Sequence, residues 1–344
     1  MKNAVEPLLE WYLENKRDLP WREDKDPYHV WISEIMLQQT RIEAVKKYYL
    51  RFMEKIPNIE ALSKINEDQL LKLWEGLGYY SRARNLKKAA MKIMTDYNGL
   101  FPTTYQDILS LPGIGEYTAG AIRSISFNQK EVAIDGNVMR VYGRVTNQDL
   151  DISDQKTKKN IGLEIKKILP KKSGDFNQAI MELGETICIP NAMPKCSICP
   201  LQNICLAYKY HRELEIPRKV RKKDKKEENL TIFLLVCNDY VALKKRTDGL
   251  LKNMWEFPNI EKFLTIEQAK EYFPKSLSIQ NAITNTHIFT HKKWNMKSYI
   301  IKLKEKSIEY EWVKMKDIEE NYAIPTAFKP FLEYLRDLNK NSLL

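Results

Sequence analysis

The sequence predicts two domains, an all-helical one over residues 1–215 and a small α+β one over residues 230–344, joined by a basic linker at 216–229. Three observations predict this. Apolar residues recur at helical spacing through the first two thirds of the chain. A run from Arg218 to Glu228 is almost wholly charged and has no apolar stripe, as expected of a solvated linker. Beyond it the texture turns to short β-branched and aromatic runs separated by turn residues. At 344 residues the chain also exceeds the roughly 250–300 at which single cores stop growing.

The helical spacing is clearest in Trp11–Leu13, Val30–Leu37, Val45–Phe52, Leu70–Trp74 and Ile161–Leu169, with turns expected at Pro57, Gly76–Gly78 and Asn98–Gly99. After the charge run, Thr231–Val236 reads as a buried strand. Asn238-Asp239 turns the chain into a second strand at Tyr240–Leu243. Ser298–Leu303 and Tyr310–Val313 are further strand candidates, and helices are expected near Ile266–Tyr272 and Ala327–Leu338.

Lys and Arg number 56 against 45 Asp and Glu, a formal charge of +11. That balance favours a polyanionic partner, because each neutralised phosphate releases counterions. No stretch approaches the ~20 apolar residues of a membrane span, and Met1–Leu13 reads as an amphipathic helix and not as a signal peptide. The cytoplasm is the expected compartment.

Four of the five cysteines crowd into residues 188–205, as Cys188-x7-Cys196-x2-Cys199-x5-Cys205. Loops this short bring the thiolates to one metal centre. Zinc and a [4Fe–4S] cluster both accept four cysteines, but zinc ribbons pair two C-x2–4-C knuckles and only one C-x2-C occurs here. Cys237 stands alone in a strand and is read as core.

Leu111-Pro112-Gly113-Ile114-Gly115 lies between two helical segments, the first with Thr104 and Asp107 at capping-box spacing. Its glycines permit a tight turn whose backbone comes close to a ligand, and the following helix opens with bare N–H groups that suit a phosphate oxygen. This is the pattern of a helix–hairpin–helix DNA-binding element. Asp135 follows an apolar run and precedes Gly136 and Asn137 at the edge of the core, where a carboxylate is costly unless it is used as a helix cap or in chemistry. Glu34 stands among apolar neighbours on a predicted helix, which should raise its pKa. Two carboxylates in split environments suit cleavage of an N-glycosidic bond: one protonates the leaving base and the other, ionised, steadies the cationic sugar.

The segments WISEIMLQQT, GLGYYSRARNL, LPGIGEYTAG, AIDGNVMRV and FNQAIMELG, with the four cysteines, resemble the MutY-type adenine DNA glycosylases of the endonuclease III superfamily. The match spans nearly all of residues 5–210 and continues more weakly to the end. The resemblance implies a [4Fe–4S] cluster on Cys188, Cys196, Cys199 and Cys205. The implied partner is duplex DNA with adenine opposite 8-oxoguanine or guanine, bound by a monomer associated with the bacterial nucleoid. It implies Glu34 as catalytic acid, Asp135 with Asn137 as the oxocarbenium stabiliser, and an adenine pocket of Arg17, Trp21, Arg22, Leu37, Ile42 and Glu182. Gln39 and Tyr79 match side chains that wedge into the base stack, where inserted groups offset lost stacking. Bifunctional relatives place a Schiff-base lysine where this chain has Tyr117, so a monofunctional enzyme is implied.

The C-terminal domain resembles the family's MutT-like (Nudix) domain through Leu250–Pro258, but it lacks the Glu- and Arg-rich Nudix box, which speaks against nucleotide hydrolysis. Phe289-Thr290-His291 stands where the family reads 8-oxoguanine with Phe-Ser-His; threonine keeps the hydroxyl and adds a methyl group. The first cysteine spacing is one residue longer than the family's. The rival readings are a bifunctional glycosylase–lyase, a non-enzymatic DNA-binding module, a cluster-based electron-transfer protein and a Nudix hydrolase.

Overall fold

The computed structural model describes residues 1–218 and 224–340. In chain order the helices are α1 (Val5–Asn15), α2 (Pro27–Leu37), α3 (Ile42–Lys55), α4 (Ile59–Lys64), α5 (Glu67–Leu73), α6 (Ser81–Asp96), α7 (Tyr105–Leu109), α8 (Glu116–Ile125), α9 (Gly136–Thr146), α10 (Gln155–Ile168), α11 (Ser173–Thr186), α12 (Leu206–Lys209), α13 (Ile266–Tyr272), α14 (Met315–Asn321) and α15 (Lys329–Lys340). The strands are β1 (Lys226–Cys237), β2 (Tyr240–Lys245), β3 (Trp255–Glu256), β4 (Asn259–Ile260), β5 (Ser276–Ile288), β6 (Lys292–Leu303) and β7 (Glu311–Lys314). Two compact units result, Met1–Lys64 with Arg84–Arg221, and Ile65–Ala83 with Lys222–Leu344.

Within the first unit, α2 is the central helix. Every residue from Val30 to Met36 is buried, Glu34 included, so the helix has no solvent face. It starts where Pro27 presets the backbone and Asp26 Oδ1 accepts from Tyr28 N at 2.7 Å. A second core joins α1, α9, α10 and α11 through Leu8, Val141, Ile165, Phe176 and Ile180.

The predicted hairpin lies between α7 and α8. Thr104 caps α7, but Asp107 does not complete the box at the Thr104 backbone. It accepts instead from the Thr104 hydroxyl at 2.6 Å, its side chain being one methylene shorter than the Glu the box prefers. Ile114 N bonds Leu111 O at 3.1 Å to close the turn. Gly113 has φ +80°, and a β-carbon there would meet Asn85 Cβ at 2.7 Å, so both conformation and space demand glycine. Leu111, named with the hairpin as DNA-binding, has a buried side chain. Its apolar side chain anchors the turn to the core and leaves only the exposed backbone at Gly113 and Gly115 for a ligand.

The second unit is built on a seven-stranded sheet with central order β3-β2-β1-β6-β5, in which β4 also pairs β1 and β7 pairs β2. β1 and β6 are parallel from Lys226↔Lys292 to Val236↔Lys302, and the other pairs are antiparallel. Leu230 to Cys237 are all buried because the sheet is covered on both faces. The alternation of a strand with one wet face is therefore absent from this stretch. Ile232 and Leu234 pack with Phe328 and Phe331, while Phe233 and Leu235 pack with Leu264 and Ala269.

Three elements depart from the sequence reading. The end of the expected linker, Lys226–Asn229, is already strand, held by β6; residues 219–223 of that charge run lie outside the described residues. β5 is not among the expected strands; its apolar residues are interrupted by polar ones, and it forms a long ladder with β6. The segment Ile65–Ala83, expected in the helical domain, belongs with the second unit: Lys245 Nζ holds Asp68 at 2.7 and 2.9 Å, and Asn253 Nδ2 donates to Glu67 Oε1 at 2.6 Å.

Gly120 of α8 faces the chain just before Asp135, and a β-carbon on it would lie 1.9 Å from Val132 O. Backbone cannot step aside as a side chain would. Gly120→Ala is expected to destabilise the protein by about 2–3 kcal/mol in urea unfolding, the scale of an overpacked core.

Candidate active site

Glu34 is presented by α2 to the start of α8. Tyr117 Oη donates to Glu34 Oε2 at 2.7 Å and also lies 3.4 Å from Met181 Sδ. Burial pushes the Glu34 carboxyl up to about 7, with the charge of Asp135 adding to it; the Tyr117 hydrogen bond and the Arg22 charge act the other way. A carboxylic acid that still holds its proton near neutrality is what a general acid needs.

Asp135 is the N-cap of α9, its Oδ1 accepting from Val138 N at 2.8 Å. The cap and the chemical reading of this residue are thus compatible. Burial pushes its carboxyl up, against hydrogen bonds from Val138 and Asn137 and the charge of Arg140. Asn137 Nδ2 donates to Asp135 Oδ2 at 2.8 Å, and its Oδ1 accepts from Arg140 Nη2 at 2.7 Å. Arg140 goes on to bond Cys188 O at 2.8 Å and Gly184 O at 2.8 Å. A β-carbon on Gly184 would come within 2.6 Å of Asn137 Cβ, so α11 must be bare there.

Arg17 and Arg22 converge on Glu182. Arg17 Nε donates to Glu182 Oε1 at 2.5 Å and Arg22 Nη2 to Oε2 at 2.9 Å. Burial alone would raise the Glu182 carboxyl, but these contacts outweigh it and hold the group below its usual value. Arg17 Nη2 is buried and has no hydrogen-bond partner among the described residues. Trp21 is buried edge-on to Tyr49, with ring centroids 5.4 Å apart. Leu37 and Ile42 are half-buried at the end of α2 and the start of α3. Gln39, just past α2, is exposed with φ +58°.

The four clustered cysteines all line one cavity, together with Val141, Val145, Leu183, Ile187 and Leu201. Arg144 Nη1 donates to Cys188 Sγ at 3.3 Å. Burial pushes the Cys199 thiol up to about 12 and Cys196 to about 11, so ligation would displace their protons. Among the described residues no three His, Cys, Asp or Glu side chains close around a single metal ion. Between Cys188 and Cys196 the chain forms a largely exposed loop: Asn191 takes φ +59°, and Lys195 N bonds Ile187 O at 3.0 Å to close it.

In the second unit Phe289-Thr290-His291 forms the tip between β5 and β6. Phe289 is anchored edge-on between His287 and Trp294, at 4.5 and 4.8 Å between ring centroids, whereas Thr290 and His291 are exposed. The Thr290 and Tyr79 hydroxyls share a hydrogen bond. Tyr79 is exposed with φ +48° and so is not core.

Residues 32–171 match the family described as HhH-GPD superfamily base excision DNA repair protein, and residues 231–334 match the NUDIX domain. The adenine DNA glycosylase of Buchnera aphidicola subsp. Baizongia pistaciae is 37% identical over 85% of this chain and 83% of its own length. The chain belongs to the adenine DNA glycosylase family. The Mus musculus member is 32% identical, over 96% of this chain and 77% of its own. Among solved structures, a thermostable thymine-DNA glycosylase is similar at TM-score 0.56 and 32% identity, covering 61% of this chain and 96% of that one. A trapped endonuclease III–DNA covalent intermediate shares the fold at TM-score 0.53 and 23% identity, covering 61% and 96%. The protein is therefore a DNA glycosylase of base excision repair. No helix among the described residues is long and apolar enough to cross a membrane.

Sequence reasoning alone misses Arg140, Arg144 and Met181. Arg140 falls on the polar side of α9 with Asn137 and Arg144, where the sequence predicts solvent, and it is buried because α11 and the cysteine segment cover that side.

Glu34 also predicts a pH effect on stability. Below about pH 4.5 both folded and unfolded states hold its proton; between there and about 7 only the folded state does, so its contribution is lost as pH rises through that window. Glu34→Gln has no such titration. In urea unfolding it is expected to match the wild type near pH 4 and to exceed it by about 2 kcal/mol near pH 8, within the roughly 3 kcal/mol that the shift allows.

Proposed function

We propose that this chain is a monofunctional glycosylase that hydrolyses the N-glycosidic bond of adenine opposite 8-oxoguanine or guanine in duplex DNA. The observation that carries the reading is the buried Glu34 carboxyl, pushed to about 7, under the Tyr117 hydroxyl and beside Asp135. The relatives' shared description as adenine DNA glycosylases supplies the base.

An extruded adenine enters beside Arg17, Trp21, Arg22, Leu37, Ile42 and Glu182, where the unpartnered Arg17 Nη2 offers a donor to a ring acceptor. Glu34 gives its proton to the leaving base, and the resulting carboxylate helps a water to attack. Asp135, fixed by Val138 and Asn137, opposes the positive charge that grows on the sugar. Tyr117 holds the Glu34 carboxyl and has no amine, so no Schiff base forms and the strand stays intact. Gln39 and Tyr79 wedge into the stack, the exposed backbone at Gly113 and Gly115 meets a phosphate, and Phe289, Thr290 and His291 read the lesion. The missing Nudix box leaves the C-terminal domain without nucleotide hydrolysis. The enzyme acts as a monomer on the nucleoid, in the cytoplasm.

Cys188, Cys196, Cys199 and Cys205 would hold a [4Fe–4S] cluster. The family generally contains iron and sulfur, and four thiols lining one cavity, with Arg144 donating to Cys188 Sγ, fit such a group. Bound there, it would brace the exposed loop at 189–195 against the DNA backbone.

Single-turnover assays on a duplex with adenine opposite 8-oxoguanine are expected to give strand breaks only after alkali, and Glu34→Gln to lose base removal while still binding the duplex. Breaks without alkali would refute the monofunctional reading; activity in Glu34→Gln would refute the acid. Cys199→Ser is expected to lose the visible absorbance of an iron–sulfur protein, and a colourless, zinc-loaded wild type would refute the cluster.

A further inference from the structure

Glu228 lies in the stretch that reads as linker, yet its side chain is only 12% exposed. It is the third residue of β1 and sits opposite Trp294 in the parallel register with β6. Its carboxylate takes Lys292 Nζ at 2.8 Å on Oε1 and Trp294 Nε1 at 2.9 Å on Oε2. Lys226 Nζ adds a third contact at 3.1 Å. Lys292 is the first residue after the Phe289-Thr290-His291 tip, and Phe289 N bonds Lys292 O at 2.8 Å. Trp294 in turn supports the Phe289 ring edge-on. Both strand residues that leave the tip on this face are therefore fixed by one carboxylate, and Lys226 N also bonds His291 O at 3.1 Å.

We propose that Glu228 is the positioning residue of the lesion-reading loop: by clamping Lys292 and Trp294 to the start of β1, it sets the placement of Phe289, Thr290 and His291. It touches no DNA itself; it acts through the exit strand and the Phe289 support. The inference rests on the reading above that this loop discriminates 8-oxoguanine. The Lys292 hydrogen bond, opposed by partial burial, holds the carboxyl down to about 2, so the clamp stays ionised at any assay pH. Glu227, its neighbour, provides a natural control. It pairs Lys293 and Asn295 on the opposite face of the same strands and is 58% exposed.

The test uses the full chain with its cluster. For each variant, the single-turnover rate on adenine opposite 8-oxoguanine is divided by the rate opposite guanine. Glu228→Ala is expected to lower this ratio about five- to tenfold, the scale of one lost charge-assisted hydrogen bond, and Lys292→Ala to lower it in the same direction. Glu228→Gln keeps the shape and one acceptor, so it should give a smaller drop and serves if the alanine variant does not fold. Glu227→Ala should stay within about twofold of wild type, as for an exposed pair. Thr290→Ala run alongside separates the two ideas. An unchanged ratio in Thr290→Ala removes the loop from lesion reading, and the proposal with it. A lowered ratio in Thr290→Ala with an unchanged ratio in Glu228→Ala and Glu228→Gln overturns the role of Glu228 alone. Equal losses on both mispairs, leaving the ratio unchanged, would reduce Glu228 to a structural residue and also overturn it.

Discussion

The Asp135 carboxylate has to be hydrogen-bonded, because it sits at the end of an apolar run where an unpaired charge is prohibitively costly. The chain meets that constraint by starting a helix there: Oδ1 caps α9 through Val138, which leaves Oδ2 for Asn137. Once Asn137 is held on one side by Asp135, its carbonyl oxygen faces Arg140 a helical turn away. Arg140 is buried, so its remaining donors must also be satisfied, and they reach the carbonyls of Gly184 and Cys188. Cys188 is thereby connected to the Asp135 carboxylate by a chain of ordinary capping and satisfaction rules. Removing one member leaves a buried donor or acceptor without a partner, which costs more than the bond itself contributes.

Close backbone approach is the second condition for this arrangement. The segment leading to Asp135 runs over Gly120, and Asn137 is seated against Gly184, at separations where a β-carbon does not fit. These glycines have ordinary helical surroundings, so their role is spatial and not conformational. Gly120 lies on the helix that carries Tyr117 toward Glu34. A larger side chain would hold α8 away from the Val132–Ala133 segment and tend to move the Tyr117 hydroxyl from the carboxylate.

The order of helices, the hairpin, the strand run at Thr231–Val236 and the pair Glu34 and Asp135 are legible from spacing and local chemistry, since each follows from a local period or from a charge in an apolar context. Three things are not. β5 interleaves polar residues with Leu277, Ile279, Ile283 and Ile288, and its place is fixed by the ladder with β6, which is a non-local condition. Leu111 belongs to the hairpin motif, but the motif says nothing about which of its side chains turns inward; packing decides that. The end of the linker departs from its sequence reading for a related reason. Lys226-Glu227-Glu228 has no apolar residue, and local charge predicts solvation, whereas opposite charges and a tryptophan on β6 make the same residues strand.

Glu34 and Glu228 show why burial alone is a poor guide to a carboxyl's role. Both are largely removed from water, and they move in opposite directions from the same starting value. Glu34 has a neutral hydroxyl as its hydrogen-bond donor, and a second carboxylate nearby adds to the cost of its charge. Tyr117 can compensate only part of the lost hydration, so the proton is retained into the neutral range. Glu228 meets an ammonium group and an indole N–H on its two oxygens, and the ion pair outweighs partial desolvation. One partner set makes a proton donor and the other makes a permanent anchor. Neither distinction is visible in the residue type or its exposure; it lies in whether the neighbouring donor carries charge. In this chain that difference suits Glu34 to the proposed proton donation and Glu228 to holding Lys292 and Trp294.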